Sequence, residues 1–199
     1  EGNEATDNPF IELGFWPGGD RDGNPFVDAS TTIKVAEALR SAIIVCYYRD
    51  IRKLKRRLTF AEVDTIITDL EQQLYENVFR PNESRKITKL ELIDKLNLIK
   101  SKLQSQHHSL YIQRVESLLN KVHIFGTWFA SLDIRQDSRI HTAVLQDINN
   151  TLLSQQQPPI IADNYTTLVE NEKIKSLLAC QTVITIGQTS SKIAKDTVE

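Results

Sequence analysis

The sequence predicts a mostly α-helical protein in which four helices are inserted between two short β-strands. Two patterns predict this fold. Apolar residues recur every three or four positions in four successive segments between residues 30 and 125, which is typical of amphipathic helices. Immediately before and after that stretch the apolar residues alternate along the chain, which is typical of strands. Because the connections between the helical segments are short, we expect neighbouring helices to run antiparallel as a bundle.

The composition is that of a soluble globular protein. Of the 199 residues, 40% are hydrophobic and 25% are charged, so the chain is long enough and apolar enough to bury a core. The net charge of −2 gives no overall field that would attract nucleic acid or an anionic membrane, and the apolar runs are too short to span a bilayer. The two cysteines, Cys46 and Cys180, fit a reducing cytoplasm, where we expect the protein. The chain has no methionine and begins at Glu1, so we interpret it as a piece of a longer protein.

The first predicted strand covers residues 11–16 and runs directly into an irregular loop. Residues 17–25 contain three glycines and two prolines, which excludes a helix or a strand. The loop carries four polar side chains, those of Asp20, Arg21, Asp22 and Asn24. In β/α proteins, the loop at the carboxyl end of a strand is where ligand groups lie. The alternative is a turn that is held together by its own Asp and Asn side chains, and the sequence leaves both open.

The helices of the insertion have recognisable starts and stops. The first helix is predicted over about 30–57. Thr59 and Glu62 have the spacing of a capping box at the start of the second helix, and Thr88 and Glu91 have the same spacing at the start of the third. The fourth helix is predicted to end at Gly126.

A second predicted strand follows the helices and ends at an arginine. It is apolar on nearly both faces, as in strands buried in a parallel sheet or barrel, through Trp128, Ala130, Leu132 and Ile134. A guanidinium at the end of a buried strand needs an anion to offset its desolvation. For Arg135 that anion is either a neighbouring carboxylate, Asp133 or Asp137, or the phosphate or carboxylate of a substrate.

We expect four segments along the chain. Residues 1–29 hold the first strand and its loop, 30–127 the helical insertion, 128–155 the second strand and a helix capped by Ser138, and 156–199 a linker, a helix and a polar tail. The last helix is predicted over 167–180, and residues 182–186 fit either a strand or a continued helix. The basic residues within 49–57 precede an acidic segment, so paired helices of opposite charge explain them more simply than a nucleic-acid site does.

Two motifs resemble those of one enzyme family. The run from Phe15 to Pro25 is similar to the WxGGDRDGNP signature of phosphoenolpyruvate carboxylases. The segment from Phe125 to Thr142 resembles the same family's second block, FG…DIRQ-[ED]-S-x-x-H-T, in the family's order. The short spacing between the two blocks suggests a divergent bacterial branch.

The resemblance implies both a fold and a reaction. The family fold is mostly helical and is built around an eight-stranded β/α barrel, which two or three strands cannot close. The predicted fold class is therefore an antiparallel helical bundle inserted between two short strands of an incomplete β/α (TIM-type) barrel. The implied activity is that of a carbon–carbon lyase: with Mg²⁺, it joins bicarbonate to phosphoenolpyruvate and gives oxaloacetate and phosphate.

The resemblance also implies roles for individual residues. Arg135 would be a catalytic residue that binds the phosphate of phosphoenolpyruvate, and Trp16 would line an apolar pocket for bicarbonate or CO₂ that excludes water from the enolate. The other substrate-binding residues that it implies are Asp20, Arg21, Asp22 and Asn24.

Other parts of the family's machinery have no counterpart in this sequence. These are the catalytic His of the TAHPT motif, the HGRGG loop and the acidic residues that bind Mg²⁺. We therefore expect a fragment that is inactive alone and contains no metal ligands, from a parent that forms a homotetramer. The alternative is a helical interaction module that retains the motifs without the chemistry.

Overall fold

The fold is mostly helical, with two short strands that pair in parallel. The computed structural model describes residues 11–22, 24, 26–180, 189 and 191–198. The strands are β1 (Gly14–Phe15) and β2 (Ser131–Leu132), and a 3₁₀ turn covers Tyr165–Thr167. The helices are α1 (Ala29–Lys55), α2 (Val63–Phe79), α3 (Lys89–Gln106), α4 (Ile112–Phe125), α5 (Ser138–Ser154), α6 (Glu170–Ala179) and α7 (Lys192–Val198). None of the helices in the described part of the chain is both long and apolar enough to cross a bilayer.

The two strands are shorter and more exposed than predicted. Gly14 lies opposite Ser131 and Phe15 lies opposite Leu132, and each strand is two residues long. Ile134 is 63% exposed, so the prediction that the second strand is buried on both faces is wrong. The physical reason is that β1 is the one partner of β2 among the described residues, and alternating apolar side chains need a second layer to bury them.

The described chain forms two compact units. The first contains β1, β2, helices α2 to α4 and the part of α1 from Lys34 onward. The second contains Trp16–Ile33 and the described residues that follow Leu132. In the first unit α3 packs against both α2 and α4. The apolar stripes predicted for these three helices are buried there, through Val63, Ile67, Leu70, Leu74, Leu92, Leu96, Ile99, Leu103, Val115, Leu118, Leu119 and Val122.

One of the two predicted capping boxes is present. The hydroxyl of Thr88 accepts a hydrogen bond from the Glu91 amide at 3.2 Å, and the Thr88 amide donates to the Glu91 carboxylate at 2.9 Å. The box predicted at Thr59 is wrong, because α2 begins at Val63. The residue before it, Glu62, has a φ of 67° and makes no side-chain cap, and its carboxylate pairs with Lys102 on α3 instead.

The Thr88 capping box predicts a pH-dependent loss of stability. Hydrogen bonds from the Thr88 amide, from Arg85 and from the Thr88 hydroxyl hold the pKa of Glu91 at about 2, below its ordinary 4.5. The contribution of Glu91 is therefore complete above about pH 5 and is lost as the pH falls toward 2. We expect Glu91→Gln to lower stability by about 1 kcal/mol at pH 7 and by progressively less down to pH 2, in thermal melts. Glu83→Gln, in the loop before α3, is the control, and equal losses at pH 7 and pH 2 would contradict the prediction.

A buried arginine joins three parts of the first unit. The guanidinium of Arg40, on α1, donates to the carbonyls of Ile87 at 3.0 Å and Thr127 at 3.4 Å and to Asn77 Oδ1 at 3.3 Å. It also lies over the ring of Trp128, 5.3 Å from the centroid. The residue is 8% exposed and forms no ion pair with a carboxylate in the described chain, and burial lowers its pKa. The buried positive charge of Arg40 is therefore stabilised by neutral oxygens and an aromatic ring.

A second long-range contact links α1 to the end of α4. The hydroxyl of Tyr47 lies 2.7 Å from the carbonyl of Gly126 and 3.2 Å from that of Lys121. Burial raises the pKa of this hydroxyl, so it remains a donor. Gly126 ends α4 as predicted, with a φ of 55°.

The second unit is built on α5, with α7 packed against it. Its core contains Val144, Ile148, Leu152, Ile160, Ile161, Tyr165 and Ala194. Asp137, not the predicted Ser138, caps α5, because its carboxylate accepts from the Arg139 amide at 2.8 Å. The predicted polar tail contains α7, and the strand or helix considered for residues 182–186 lies outside the described residues.

Candidate active site

The two signature segments lie side by side in the second unit. The Arg21 amide donates to the Arg135 carbonyl at 2.9 Å, and the Arg135 amide donates to the Gly19 carbonyl at 2.9 Å. Asp20 and Arg135 are thereby paired as a parallel bridge. We call these paired residues, 19–21 and 133–135, the junction. The junction brings residues 19–21 of the loop next to Arg135.

A glycine makes the junction possible. Gly19 is buried, and a Cβ on it would lie 2.0 Å from the carbonyl oxygen of Asp133. Its amide donates to the Trp16 carbonyl at 3.0 Å, and Gly18 has a φ of 84°, so the chain turns sharply before the junction. The two segments can approach this closely because residue 19 has no side chain.

The Arg135 side chain is exposed and forms no ion pair with another described residue. Asp137 was one of the two carboxylates predicted as possible partners of Arg135. It binds Arg139 instead, with Arg139 Nε 2.9 Å and 3.1 Å from its two oxygens. The hydrogen bonds from Arg139 lower the pKa of Asp137. The described chain thus contains no pair between Arg135 and Asp133 or Asp137. An exposed guanidinium of this kind can bind a phosphate or carboxylate through two parallel hydrogen bonds.

Arg21 is placed quite differently. Its side chain is 10% exposed, and Nη1 lies 3.2 Å from Asp196 Oδ2 and 3.0 Å from the Asp196 carbonyl oxygen. Nη2 lies 3.5 Å from the Thr32 hydroxyl, at the limit of a hydrogen bond. Arg21 therefore faces the interior of its unit and not the exposed side of the loop. Sequence reasoning missed Asp196 and Thr32.

Most of the remaining predicted site residues are exposed, and Asp20 is half-buried. Trp16 is 59% exposed, and Asp22 and Asn24 are exposed as well. Asp20 Oδ1 accepts from the Asp22 amide at 3.3 Å, and Asn24 Oδ1 accepts from the Phe26 amide at 3.1 Å. The loop is therefore held partly by its own Asp and Asn side chains. Within the described residues, no group of three His, Cys, Asp or Glu side chains could hold a metal ion.

Comparison with known proteins gives one family. The family model for phosphoenolpyruvate carboxylase matches residues 1–90 and 68–185. The phosphoenolpyruvate carboxylase of Nitrosomonas eutropha is 26% identical over 85% of this chain and 22% of its own length. That of Aeromonas hydrophila is 27% identical over 71% of this chain and 19% of its own length. The chain thus spans about a fifth of the length of these curated relatives.

Proposed function

Because the chain belongs to the phosphoenolpyruvate carboxylase family, we propose that it is a segment of such an enzyme and supplies part of the active site. The parent would join bicarbonate to phosphoenolpyruvate, releasing oxaloacetate and phosphate. The observation that carries this proposal is the guanidinium of Arg135, which is exposed where the two signature segments meet and forms no ion pair with another described residue. A cation in that position can hold the phosphoryl group while bicarbonate attacks it.

Trp16 and Arg135 would act together in this site. Trp16 follows β1 in the chain, and its exposed indole would form an apolar wall that keeps water away from the enolate. Arg135 would stay on the phosphate through the transfer. Asp20, Asp22 and Asn24 would shape the loop between them. Arg21 would support the loop from inside the unit and would not contact the substrate, because its side chain is buried.

The rest of the machinery would come from the parent chain. Mg²⁺, which the family resemblance implies, would be held by carboxylates in other parts of the parent. The strand pair would belong to a β/α barrel, the helical insertion would be an antiparallel bundle, and the parent would be a cytoplasmic homotetramer. The 199 residues alone would not carboxylate phosphoenolpyruvate.

Arg135→Lys in the parent enzyme tests the proposal. A planar guanidinium binds two phosphoryl oxygens at once, whereas an ammonium offers a single point charge on a more flexible stem. We expect kcat/KM for phosphoenolpyruvate to fall by the equivalent of about 2–4 kcal/mol, with an unchanged melting temperature. Arg139→Lys, four residues along the chain, is the matched control, because that side chain already pairs with Asp137. Near-normal kcat/KM together with a lower melting temperature would mean that Arg135 has a structural role only.

A further inference from the structure

We propose that Asp196 is a positioning residue: through Arg21, it fixes the junction and thereby the backbone from which Arg135 projects. Its catalytic consequence rests on the proposed function above. Asp196 lies on α7, beyond the residues that the family model matches, and would not touch the substrate.

The first step of the argument is the set of contacts that Asp196 makes. Its Oδ2 lies 3.2 Å from Arg21 Nη1, and its backbone carbonyl accepts from the same nitrogen at 3.0 Å. Its Oδ1 accepts from the amide of Ala29, the first residue of α1, at 2.7 Å. One carboxylate therefore joins the signature loop to a helix N-terminus, where a negative charge is favourable.

The second step is the dependence of Arg21 on Asp196. A guanidinium that is 10% exposed needs a counter-charge, and Asp196 is the one carboxylate that pairs with Arg21 in the described part of the chain. The Nε of Arg21 is buried without a hydrogen-bond partner among the same residues. Thr32 adds a neutral anchor, since its hydroxyl donates to the Gly18 carbonyl at 2.8 Å. Without Asp196, the Arg21 side chain would be expected to leave its site.

The third step links Arg21 to the proposed phosphate ligand. The Arg21 amide donates a hydrogen bond to the Arg135 carbonyl, and the Arg135 amide donates one to the Gly19 carbonyl, both at 2.9 Å. A shift of the backbone at Arg21 would therefore displace the backbone of Arg135, because these two hydrogen bonds join the two segments directly. Because an error of about 1 Å in placing a catalytic group can cost roughly 100-fold in rate, such a shift would reach the chemistry.

A purely structural role of α7 is the competing explanation. Ala194 is buried and α7 packs against α5, so a substitution on α7 could simply weaken that packing. Asp196→Asn keeps the shape of the side chain and removes its charge, and Asp196→Glu keeps the charge. Lys195→Gln, an exposed neighbour on the same helix, is the matched control.

The first experiment measures amide hydrogen exchange by NMR in the 199-residue chain and needs no activity. In Asp196→Asn, we expect the Arg21 and Arg135 amides to exchange at least 10-fold faster. We expect no change at Ile148, in the middle of α5, or in Lys195→Gln, and at least partial recovery in Asp196→Glu. Unchanged exchange at Arg21 and Arg135 would overturn the proposal. Equally faster exchange of the Ile148 amide would overturn it too, because it would mean that the whole unit has loosened.

The second experiment is a double-mutant cycle in the parent enzyme. We expect Asp196→Asn to lower kcat/KM for phosphoenolpyruvate about 10- to 30-fold, and to have almost no further effect in an Arg135→Lys background. That loss of effect is expected if Asp196 acts through Arg135. Additive losses would overturn the positioning role. If Arg135→Lys itself left kcat/KM unchanged, the proposed function would fail, while the exchange experiment would still decide whether Asp196 fixes the junction.

Discussion

Replacing Gly19 with alanine is expected to destabilise the second unit by more than about 4 kcal/mol, a range that single substitutions rarely reach. The new Cβ would lie 2.0 Å from the Asp133 carbonyl oxygen and 2.9 Å from its carbon. These are backbone atoms, so no side-chain rotation relieves the overlap. The two segments must separate, and the hydrogen bonds of the Arg21 and Arg135 amides are lost with them.

Chemical denaturation of the 199-residue chain measures this effect, and if the proposed function is correct, the parent carrying Gly19→Ala should show no detectable carboxylation. Gly126→Ala is the matched control. Gly126 also has a conformation that suits glycine, with a φ of 55°, but its nearest new contact is the flexible Lys89 side chain at 3.8 Å. We expect that variant to lose about 1–3 kcal/mol from backbone strain alone. A similar loss in both variants would contradict the steric argument at Gly19.

Replacing Arg40 with leucine is expected to destabilise the first unit by about 4 kcal/mol. The substitution keeps an apolar stem but leaves the buried oxygens of Ile87, Thr127 and Asn77 without their charged donor. Part of this cost is offset because a buried cation no longer has to be desolvated. Arg40→Lys should recover less than half of the loss, because one ammonium nitrogen cannot occupy the positions of both Nη1 and Nη2, which donate to different acceptors.

Arg52 provides the control for this variant. It lies on the same helix and also over an aromatic ring, 5.6 Å from the centroid of Tyr48, but its side chain is 51% exposed. Arg52→Leu should change stability by less than about 1 kcal/mol, as is usual for an exposed pair. Equal losses in Arg40→Leu and Arg52→Leu, measured by denaturation of the 199-residue chain, would show that burial of the guanidinium is not the cause.

The helical insertion was predictable because its signals are local. The stripe on α3 repeats every three or four residues, and its capping box needs only Thr88 and Glu91. The box at Thr59 fits the same rule and fails, because Glu62 takes a positive φ and pairs with Lys102, a residue 40 positions away. The sequence cannot rank a local cap against such a distant partner.

The motifs point to one candidate site, but the arrangement of its side chains could not be predicted from the sequence. The motifs place Arg135 and the 17–24 loop in one site, yet Asp137 and Arg139 pair within one helical turn and leave Arg135 free in the described chain. Charge spacing alone allowed either pairing. Asp196 carried no signal at all, because α7 has seven residues and its contact with Arg21 spans 175 positions.

The pairing of β1 with β2 also constrains the order in which the molecule assembles. The strands lie more than one hundred residues apart, and closing a loop of that length costs on the order of 4 kcal/mol of chain entropy. The hydrogen bonds of two strands that are two residues long offset only a small part of this free-energy cost. Helices α2 to α4 need only local contacts, and the bonds from Tyr47 to Gly126 and from Arg40 to Thr127 bring the ends of the insertion together. In refolding, the helices should therefore form first and the strand pair last, once the folded insertion has already met most of the cost of closure.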